Sequence, residues 1–218
     1  MIQLPMFLDK IQINGFKIQH LYDVGACDGS WSDWVKWNCL QQTEFHLFEA
    51  NSGHVGSLLL KRFDFHIATL SDEVKEVEFY TNMSTGDSYY KESTSYYDRS
   101  FPLKKTTTTL DKLIQEKNLP IPQFLKIDTQ GSELDILRGA TSILNQTEII
   151  MCEMPIVQYN IGAPTISEYL EFFRSHDYIP VHLVDVIRAE ETLIQLDMIF
   201  MKRSAKSQFL GENVAIRV

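Results

Sequence analysis

Residues 21–29 read Leu21-Tyr22-Asp23-Val24-Gly25-Ala26-Cys27-Asp28-Gly29. The first four form an apolar strand that carries an acid, and an amphipathic segment typical of a helix begins at Ser30. Gly25 lets the chain leave the strand sharply, because glycine tolerates positive φ angles, and Gly29 removes a side chain where another group can approach the backbone. A strand that passes through a glycine turn into a helix predicts a doubly wound α/β fold, which binds its ligand at the carboxyl edge of the sheet.

The spacing of the two glycines limits the kind of ligand. They read G-x-x-x-G, not the G-x-G-x-x-G of a dinucleotide fold, and the sequence has no phosphate-binding loop of the G-x-x-x-x-G-K-[ST] type. A second apolar strand, residues 44–49, ends at Glu49, about 20 residues beyond the turn, where an acid that accepts ribose hydroxyls is expected. This pattern favours adenosine without a pyrophosphate, as in S-adenosylmethionine. The alternative is a generic α/β turn with an acid at a strand end.

The length and composition predict a single domain that comprises residues 1–218. Residues 1–19 are weakly patterned, and we expect them to form a leader that packs on the sheet edge. The net charge of −9 argues against a nucleic-acid-binding surface. Three cysteines without a C-x-x-C pair fit a reducing cytoplasm. The sequence shows no pattern typical of a signal peptide and no apolar run as long as a membrane span.

Hydrophobic periodicity predicts alternating helices and strands through the rest of the chain. Helices are expected over 30–40, 52–62, 110–117, 134–144 and 165–176, and strands over 63–70, 124–128, 148–153, 178–184 and 193–201. Residues 74–81 alternate as an edge strand does, and Thr109 is expected to cap the helix after it. Helix 165–176 should turn four residues inward: Ile166, Tyr169, Leu170 and Phe173. A hairpin-like linker is expected over 185–192, and a solvated basic tail from residue 202.

Residues 82–100 interrupt this pattern with a long loop that carries two tyrosine pairs, Tyr89-Tyr90 and Tyr96-Tyr97. A loop of this length in a compact domain is usually functional or disordered. Tyrosine offers a flat apolar face with a polar tip, which suits a polyhydroxylated ligand. A solvated mobile insertion is an equal alternative. Asp72, which precedes the loop, could face the adenine side of the ligand or cap its own turn.

The strand Phe124-Leu125-Lys126-Ile127-Asp128 places a lysine and an aspartate on one face, because side chains alternate along a strand. Charges on an otherwise apolar central strand are costly unless they are paired or functional. Lys126 and Asp128 could therefore form a structural ion pair that orients the next loop. Asp128, at the carboxyl end of the strand, would still face the ligand crevice. Strand 148–153 repeats the arrangement and ends at Glu153.

The chain resembles the FkbM family of S-adenosylmethionine-dependent methyltransferases over roughly residues 20–202. The resembling blocks are 23–29, 48–51, 109–111, 125–133 and 137–140, and the most specific is the block 125–133, Leu-Lys-Ile-Asp-Thr-Gln-Gly-Ser-Glu. The resemblance implies a Rossmann-like α/β sheet of seven strands, mostly parallel with an antiparallel last strand, and helices on both faces. It also implies O-methylation of a hydroxyl on a sugar, a glycan or a small metabolite. The chain departs from the family where it has Gln130 for an acid, Ala50 for proline and Cys27 for asparagine.

The resemblance also implies roles for individual residues. Asp23, Gly25 and Gly29 would cradle the methionine part of the cofactor, Glu49 would hold the ribose, and Asp128 would lie beside the sulfonium. The predicted cofactor-binding set is Asp23, Gly25, Ala26, Gly29, Glu49, Ala50 and Asp72. The predicted catalytic residues are Asp128, Glu133 and Lys126, with Asp128 first as the group that takes the hydroxyl proton. The predicted acceptor-binding residues are Tyr89, Tyr90 and Glu153.

No metal is expected, because the six histidines are scattered without metal-ligand spacing, although a carboxylate-bound Mg²⁺ stays open. The expected partner is a small-molecule or glycan acceptor and not a nucleic acid, and the oligomeric state is open. Two alternatives stand beside this prediction. One is an RNA or protein methyltransferase, and the acidic charge disfavours RNA. The other is a non-catalytic cofactor-binding module, which Gln130 allows.

Overall fold

The computed structural model describes residues 3–81, 86–94 and 101–210. Its main sheet has seven strands: β1 (His20–Val24), β2 (Glu44–Glu49), β3 (Asp64–Ile67), β7 (Phe124–Ile127), β8 (Ile149–Pro155), β9 (Tyr178–Ala189) and β10 (Thr192–Lys202). Their order is β3-β2-β1-β7-β8-β10-β9. The strands from β3 to β8 in this order pair in parallel, and β10 runs antiparallel to both of its neighbours. The predicted sheet, mostly parallel with an antiparallel last strand, is confirmed.

Helices cover both faces of this sheet, as predicted. They are α1 (Gln3–Ile13), α2 (Ser30–Asn38), α3 (Val55–Lys61), α4 (Leu110–Lys117), α5 (Glu133–Arg138), α6 (Thr141–Leu144), α7 (Ile166–Ser175) and α8 (Arg203–Phe209), with a 3-10 turn at Ser52–His54. The buried apolar residues form two clusters that take alternate strand positions and so lie on opposite faces. Helices α4 to α7 contribute to one cluster, and α1, α2, α3 and α8 contribute to the other.

The segment predicted as a weakly patterned leader contains α1. Leu4, Leu8 and Ile11 are buried at helical spacing. The Phe7 ring stacks on His182 of the edge strand β9, with 5.3 Å between ring centroids. Pro5 lies in the first turn, where a helix tolerates proline because that backbone N–H has no helical partner.

The predicted strand 63–70 divides between two sheets. Residues 64–67 form β3 in the main sheet, whereas β4 (Thr69–Leu70) belongs to a small sheet. In the small sheet, β6 (Phe101–Thr108) lies between β4 and β5 (Glu76–Thr81). The edge strand expected over 74–81 is confirmed as β5 (Glu76–Thr81). Ser71 follows β4 and brings its carbonyl oxygen to 2.2 Å from where a Cβ on Gly139 would lie. That contact requires glycine between α5 and α6, where the predicted helix 134–144 is broken.

Several smaller predictions are confirmed or corrected. Thr109 caps α4, because its hydroxyl accepts from the Lys112 backbone N–H at 3.2 Å. Tyr169 and Phe173 point inward as predicted, but Leu170 is 42% exposed. Strands β9 and β10 extend so far that the expected linker shrinks to residues 190–191. The chain after Lys202 forms α8, not a solvated tail.

Part of the tyrosine loop, residues 82–85 and 95–100, lies outside the described residues, and Tyr96 and Tyr97 lie there too. Among the described residues, no helix combines the length and apolar character needed to cross a bilayer.

Candidate active site

Two loops meet backbone to backbone at the carboxyl edge of the sheet. Gly25 follows β1 with a φ of 78°, and the Asp128 amide donates to the Val24 carbonyl at 3.0 Å. A Cβ on Gly25 would lie 1.8 Å from the carbonyl oxygen of Asp128. Only glycine fits, because the position needs a left-handed backbone and no side chain. The glycine turn therefore sets how closely the ends of β1 and β7 approach each other.

Glu49 ends β2 in a buried position beside this turn. Its two carboxylate oxygens accept from the backbone N–H groups of Cys27 and Asn51, each at 2.7 Å. Burial raises the pKa of Glu49, although these two hydrogen bonds oppose the shift. The bonds fix the carboxylate, and each oxygen keeps a second lone pair for a ligand hydroxyl.

A cleft opens beside the ends of β1, β2 and β7. Of the predicted site residues, five line this cleft: Gly25, Glu49, Ala50, Tyr89 and Asp128. Its apolar lining includes Val24, Phe48, Leu70, Phe79 and Ile136. Apolar walls with a few converging polar groups are typical of a site for a small organic ligand.

The tyrosine loop contributes Asp87 to the wall of the cleft. Asn51 Nδ2 and the Thr81 hydroxyl both donate to one Asp87 carboxylate oxygen at 2.7 Å. The Lys105 ammonium donates to the Ala50 carbonyl and lies 4.3 Å from the centre of the Phe79 ring. The sequence analysis did not single out Asp87 or Lys105, because neither belongs to a motif. These contacts connect the loop and the small sheet to the end of β2.

Lys126 is buried between two aspartates. Its Nζ lies 2.9 Å from the Asp23 carboxylate and 3.4 Å from the Asp128 carboxylate. Burial alone would lower the pKa of Lys126, but the two carboxylates outweigh burial and raise it. Asp23 is fully buried and also accepts from the Ser32 hydroxyl at 2.6 Å. The ion pair considered from the sequence therefore exists. It leaves the Asp128 side chain 38% exposed at the cleft.

The side chain of Gln130 joins Asp128 to Glu153. Its Nε2 donates to Asp128 at 3.3 Å and to Glu153 at 2.7 Å. Burial would raise the pKa of Asp128, but Lys126 and the hydrogen bonds lower it. Burial, followed by the charge on Asp128, raises the pKa of Glu153 well above its ordinary range. Within this pair, Glu153 therefore binds a proton more tightly than Asp128 does. An acid in place of Gln130 would add a third carboxyl group to this pair.

Three residues that the sequence analysis did not single out extend this network. Gln195 Nε2 donates to Glu153 at 2.5 Å, and the Tyr159 hydroxyl donates to Gln195 Oε1 at 2.8 Å. Asp197 lies opposite Glu153 in the antiparallel register of β8 and β10. Burial, followed by the charge on Asp128, raises the pKa of Asp197 to about 7. A charged residue inside an apolar strand is the sequence signal that identified Lys126. The same signal in strand 193–201 could have identified Asp197.

Glu133 lies behind the loop that follows β7 and does not line the cleft. Its carboxylate accepts from the backbone N–H groups of Thr129 at 2.8 Å and Gly131 at 3.0 Å, and from the Tyr169 hydroxyl at 2.5 Å. Burial raises the pKa of Glu133, and these hydrogen bonds oppose the shift. Glu133 is therefore placed to shape the loop that carries Asp128 and Gln130.

Tyr89 and Tyr90 share one anchor. Both hydroxyls donate to the same Asp135 carboxylate oxygen, at 3.1 Å and 2.7 Å respectively. Burial, with a further contribution from the Asp135 charge, raises the pKa of both tyrosines. Only Tyr89 of the two lines the cleft. The described tyrosines thus fasten their loop onto α5.

Four predicted cofactor residues lie outside the cleft lining: Asp23, Ala26, Gly29 and Asp72. Asp72 accepts from two side chains of its own turn, the Ser71 hydroxyl at 2.9 Å and the Lys75 ammonium at 2.6 Å. Ala26 is buried, and its N–H donates to the Phe48 carbonyl at 3.1 Å. Gly29 starts α2 with a φ of 77°. Ala26 and Gly29 therefore belong to the glycine turn itself, whereas Asp72 contacts its own turn after β4.

Comparisons with known proteins agree with this architecture. The model of the FkbM methyltransferase domain matches residues 23–180. No curated protein matches the sequence significantly. Structural neighbours include precorrin-6y C5,15-methyltransferase from Geobacter metallireducens, with 13% identity, a TM-score of 0.50, and coverage of 90% of this chain and 86% of that one.

Two further neighbours have a TM-score of 0.52. Methyltransferase FkbM from Methylobacillus flagellatus has 13% identity, with coverage of 84% of this chain and 43% of that longer one. The O-methyltransferase from Bacillus cereus, a complex with S-adenosylhomocysteine, has 12% identity, with coverage of 91% of this chain and 80% of that one. At these identities the neighbours establish the Rossmann-like methyltransferase fold. Because the family model covers most of the sequence, the chain belongs to the FkbM methyltransferase family, in agreement with S-adenosylmethionine as its predicted cofactor.

Proposed function

We propose that the chain is an S-adenosylmethionine-dependent O-methyltransferase whose acceptor is a hydroxyl of a sugar, a glycan or a small metabolite. One observation carries this proposal. An apolar cleft has the fixed carboxylate of Glu49 and the ionised carboxylate of Asp128 in its lining. The first suits a ribose and the second suits a cationic sulfonium beside a hydroxyl.

In the proposed complex, the cofactor lies along the carboxyl edge of the sheet. Glu49 accepts hydrogen bonds from the ribose hydroxyls, and the apolar side chains of Leu70 and Phe79 contact the adenine. The methionine part would lie beside Gly25, which lines the cleft. Asp128 faces the sulfonium, and its negative charge favours binding of a positively charged donor.

The reaction is an in-line displacement. The acceptor oxygen forms a bond to the methyl carbon while the carbon–sulfur bond breaks, and its electron pair stays on sulfur. Asp128 accepts a hydrogen bond from the acceptor hydroxyl and so holds the oxygen in line with the methyl group. A lowered pKa makes Asp128 a weak base, but the newly methylated oxygen is a strong acid, so the proton passes readily to Asp128.

The charge of the site supports a hydroxyl acceptor over a nucleic acid. Beyond the paired Lys126, carboxyl groups dominate this network: Asp128, Glu153 and Asp197. Together with the net charge of −9, they disfavour a phosphate-bearing chain. The three cysteines are free thiols, and this supports a reducing, cytoplasmic location.

Calorimetry tests cofactor binding, and a screen of hydroxylated acceptors tests turnover. We expect S-adenosylmethionine and S-adenosylhomocysteine to bind and NAD not to bind, because the glycine turn lacks the dinucleotide spacing. Binding of both cofactors without turnover on any sugar, glycan or metabolite would favour a non-catalytic module. Binding of NAD alone would contradict the proposal.

Replacement of Asp128 tests the reaction itself. Asp128→Asn keeps the shape and removes the charge, and we expect kcat to fall by about 10²-fold or more. The variant should fold, because Lys126 keeps its ion pair with Asp23. Asp72→Asn, outside the cleft, is the control. Normal turnover by a folded Asp128→Asn variant would remove Asp128 from the mechanism.

A further inference from the structure

Five metal-ligating side chains gather on one face of the main sheet, away from the cleft. They are His20, Glu44, His46, Asp64 and His66. His20, Glu44 and Asp64 each begin their strand, whereas the cleft lies at the strands' other ends. The spacing of these residues along the chain does not indicate a metal site. They come together because the parallel register of β1, β2 and β3 places side chains from three separate strands side by side.

His46, Asp64 and His66 form the more enclosed half of the group. The Asp64 carboxylate oxygen lies 3.0 Å from His46 Nδ1 and 3.9 Å from His66 Nε2. One ligand atom from each of the three residues lies within 4.8 Å of the other two. In a tetrahedral zinc site, bonds of about 2.0–2.2 Å leave ligand atoms about 3.3 Å apart. Small side-chain rotations would therefore bring these atoms to coordination distance.

The histidine rings carry buried nitrogens with unused hydrogen-bonding capacity. The Nε2 atom of His66, which lies 3.9 Å from Asp64, is buried and has no hydrogen-bond partner among the described residues. His46 faces Asp64 with its other ring nitrogen, Nδ1. His46 as a whole is only 8% exposed. A buried polar atom without a partner is costly, and a bound cation is one way to satisfy it.

The partial exposure of the site gives an ion a route in. The Asp64 side chain is 55% exposed, whereas those of His46 and His66 are 10% and 13% exposed. An ion would thus sit at the rim of the sheet, with two imidazoles below it and a position open to water. Imidazole nitrogen with one carboxylate is a donor set that zinc accepts.

We propose that His46, Asp64 and His66 bind one zinc ion, which fastens the edge strand β3 to β2. The ion acts on stability and not on methyl transfer, because the ligands lie outside the cleft lining. A nitrogen of His46 also lies within 4.8 Å of ligand atoms of His20 and Glu44, which form the competing group. The choice between the two groups is open to direct test.

The test is a calorimetric titration of chelator-treated protein with zinc chloride. The melting temperature is measured separately with zinc and with EDTA. Wild-type protein should bind one equivalent and melt at a higher temperature with zinc than with EDTA. Asp64→Asn and His66→Gln should each weaken zinc binding by at least about tenfold, since even outer-shell partners of a metal site contribute 10–100-fold. Circular dichroism in EDTA shows whether each variant folds, and Asp64 is exposed enough that its variant should.

Two variants serve as matched controls. Glu44→Gln removes a carboxylate from the competing group, and Cys27→Ser removes the thiol that lies 3.7 Å from His54 Nε2. Both should bind zinc as the wild type does. The proposal is wrong if the wild type binds no zinc. It is also wrong if folded Asp64→Asn and His66→Gln variants bind zinc normally, or if Glu44→Gln alone loses it.

Discussion

At the scale of single residues, Glu49 gives the sharpest prediction about cofactor binding. Its carboxylate is held by two backbone N–H groups and lines the cleft. Glu49→Ala should weaken S-adenosylhomocysteine binding by several-fold or more, because the ribose hydroxyls lose a charged acceptor. Calorimetry measures the change. Asp72→Asn, outside the cleft lining, should bind as the wild type does, and equal affinities for all three proteins would remove Glu49 from the ribose site.

Asp197 predicts a pH dependence of stability. Its pKa in the folded protein is about 7, above the ordinary value of 3.8, so the folded state binds its proton more tightly than the unfolded state does. The free energy of unfolding contributed by this group therefore falls as pH rises from about 4 to about 7, and stays low above that range. Asp197→Asn carries no charge and should melt higher than the wild type above pH 7, with a smaller difference toward pH 4. Melting curves across this range provide the check, and a gap that does not vary with pH would contradict the assignment.

At the scale of elements, the junction of β1 and β7 depends on Gly25. Gly25→Ala places a Cβ on the Asp128 carbonyl and in a left-handed backbone, so we expect a loss of at least about 3 kcal/mol in the free energy of unfolding. Gly56→Ala is the matched control, because Gly56 lies within α3 and a Cβ there meets nothing within 4 Å. That control should be stabilising by up to about 1 kcal/mol. Denaturant unfolding compares the two variants, and similar stabilities would show that the two loops adjust to a side chain.

Sequence patterns predicted the elements of this junction but not the contacts between them. Glycine, a terminal acid and apolar periodicity are local signals, so Gly25, Glu49 and Asp128 could be identified before the structure. Asp197 joins the site only through the antiparallel register of β10, and the grouping of His46 with His66 depends on the register of two parallel strands. Register is a long-range property that no spacing along the chain encodes.

At the scale of the whole molecule, the cleft depends on both sheets and on the loop that connects β5 to β6. The main sheet supplies Glu49 and Asp128, the small sheet supplies Phe79, and the loop supplies Asp87 and Tyr89. The hydroxyls of Tyr89 and Tyr90 donate to Asp135 of α5. The side chain of Asn160, beyond β8, donates to the Tyr90 carbonyl. Residues 86–94 therefore lie beside the cleft, where we propose that an acceptor approaches the cofactor. A substitution that removes a contact of residues 86–94 should therefore change the affinity for the acceptor more than the affinity for the cofactor.

Tyr90→Phe tests this coupling. The variant keeps the ring but loses the hydroxyl bond to Asp135, and Tyr90 itself does not line the cleft. We expect a several-fold rise in the KM for the acceptor identified by screening, faster hydrogen exchange in residues 86–94, and an unchanged Kd for S-adenosylhomocysteine. Tyr80→Phe is the control, because within the described part of the chain its hydroxyl bonds only to the exposed Glu78 carboxylate, at 2.9 Å. Equal KM values and equal exchange in the two variants would mean that the anchor on Asp135 does not govern access. A weaker cofactor affinity in Tyr90→Phe alone would instead assign the loop to the cofactor side of the site.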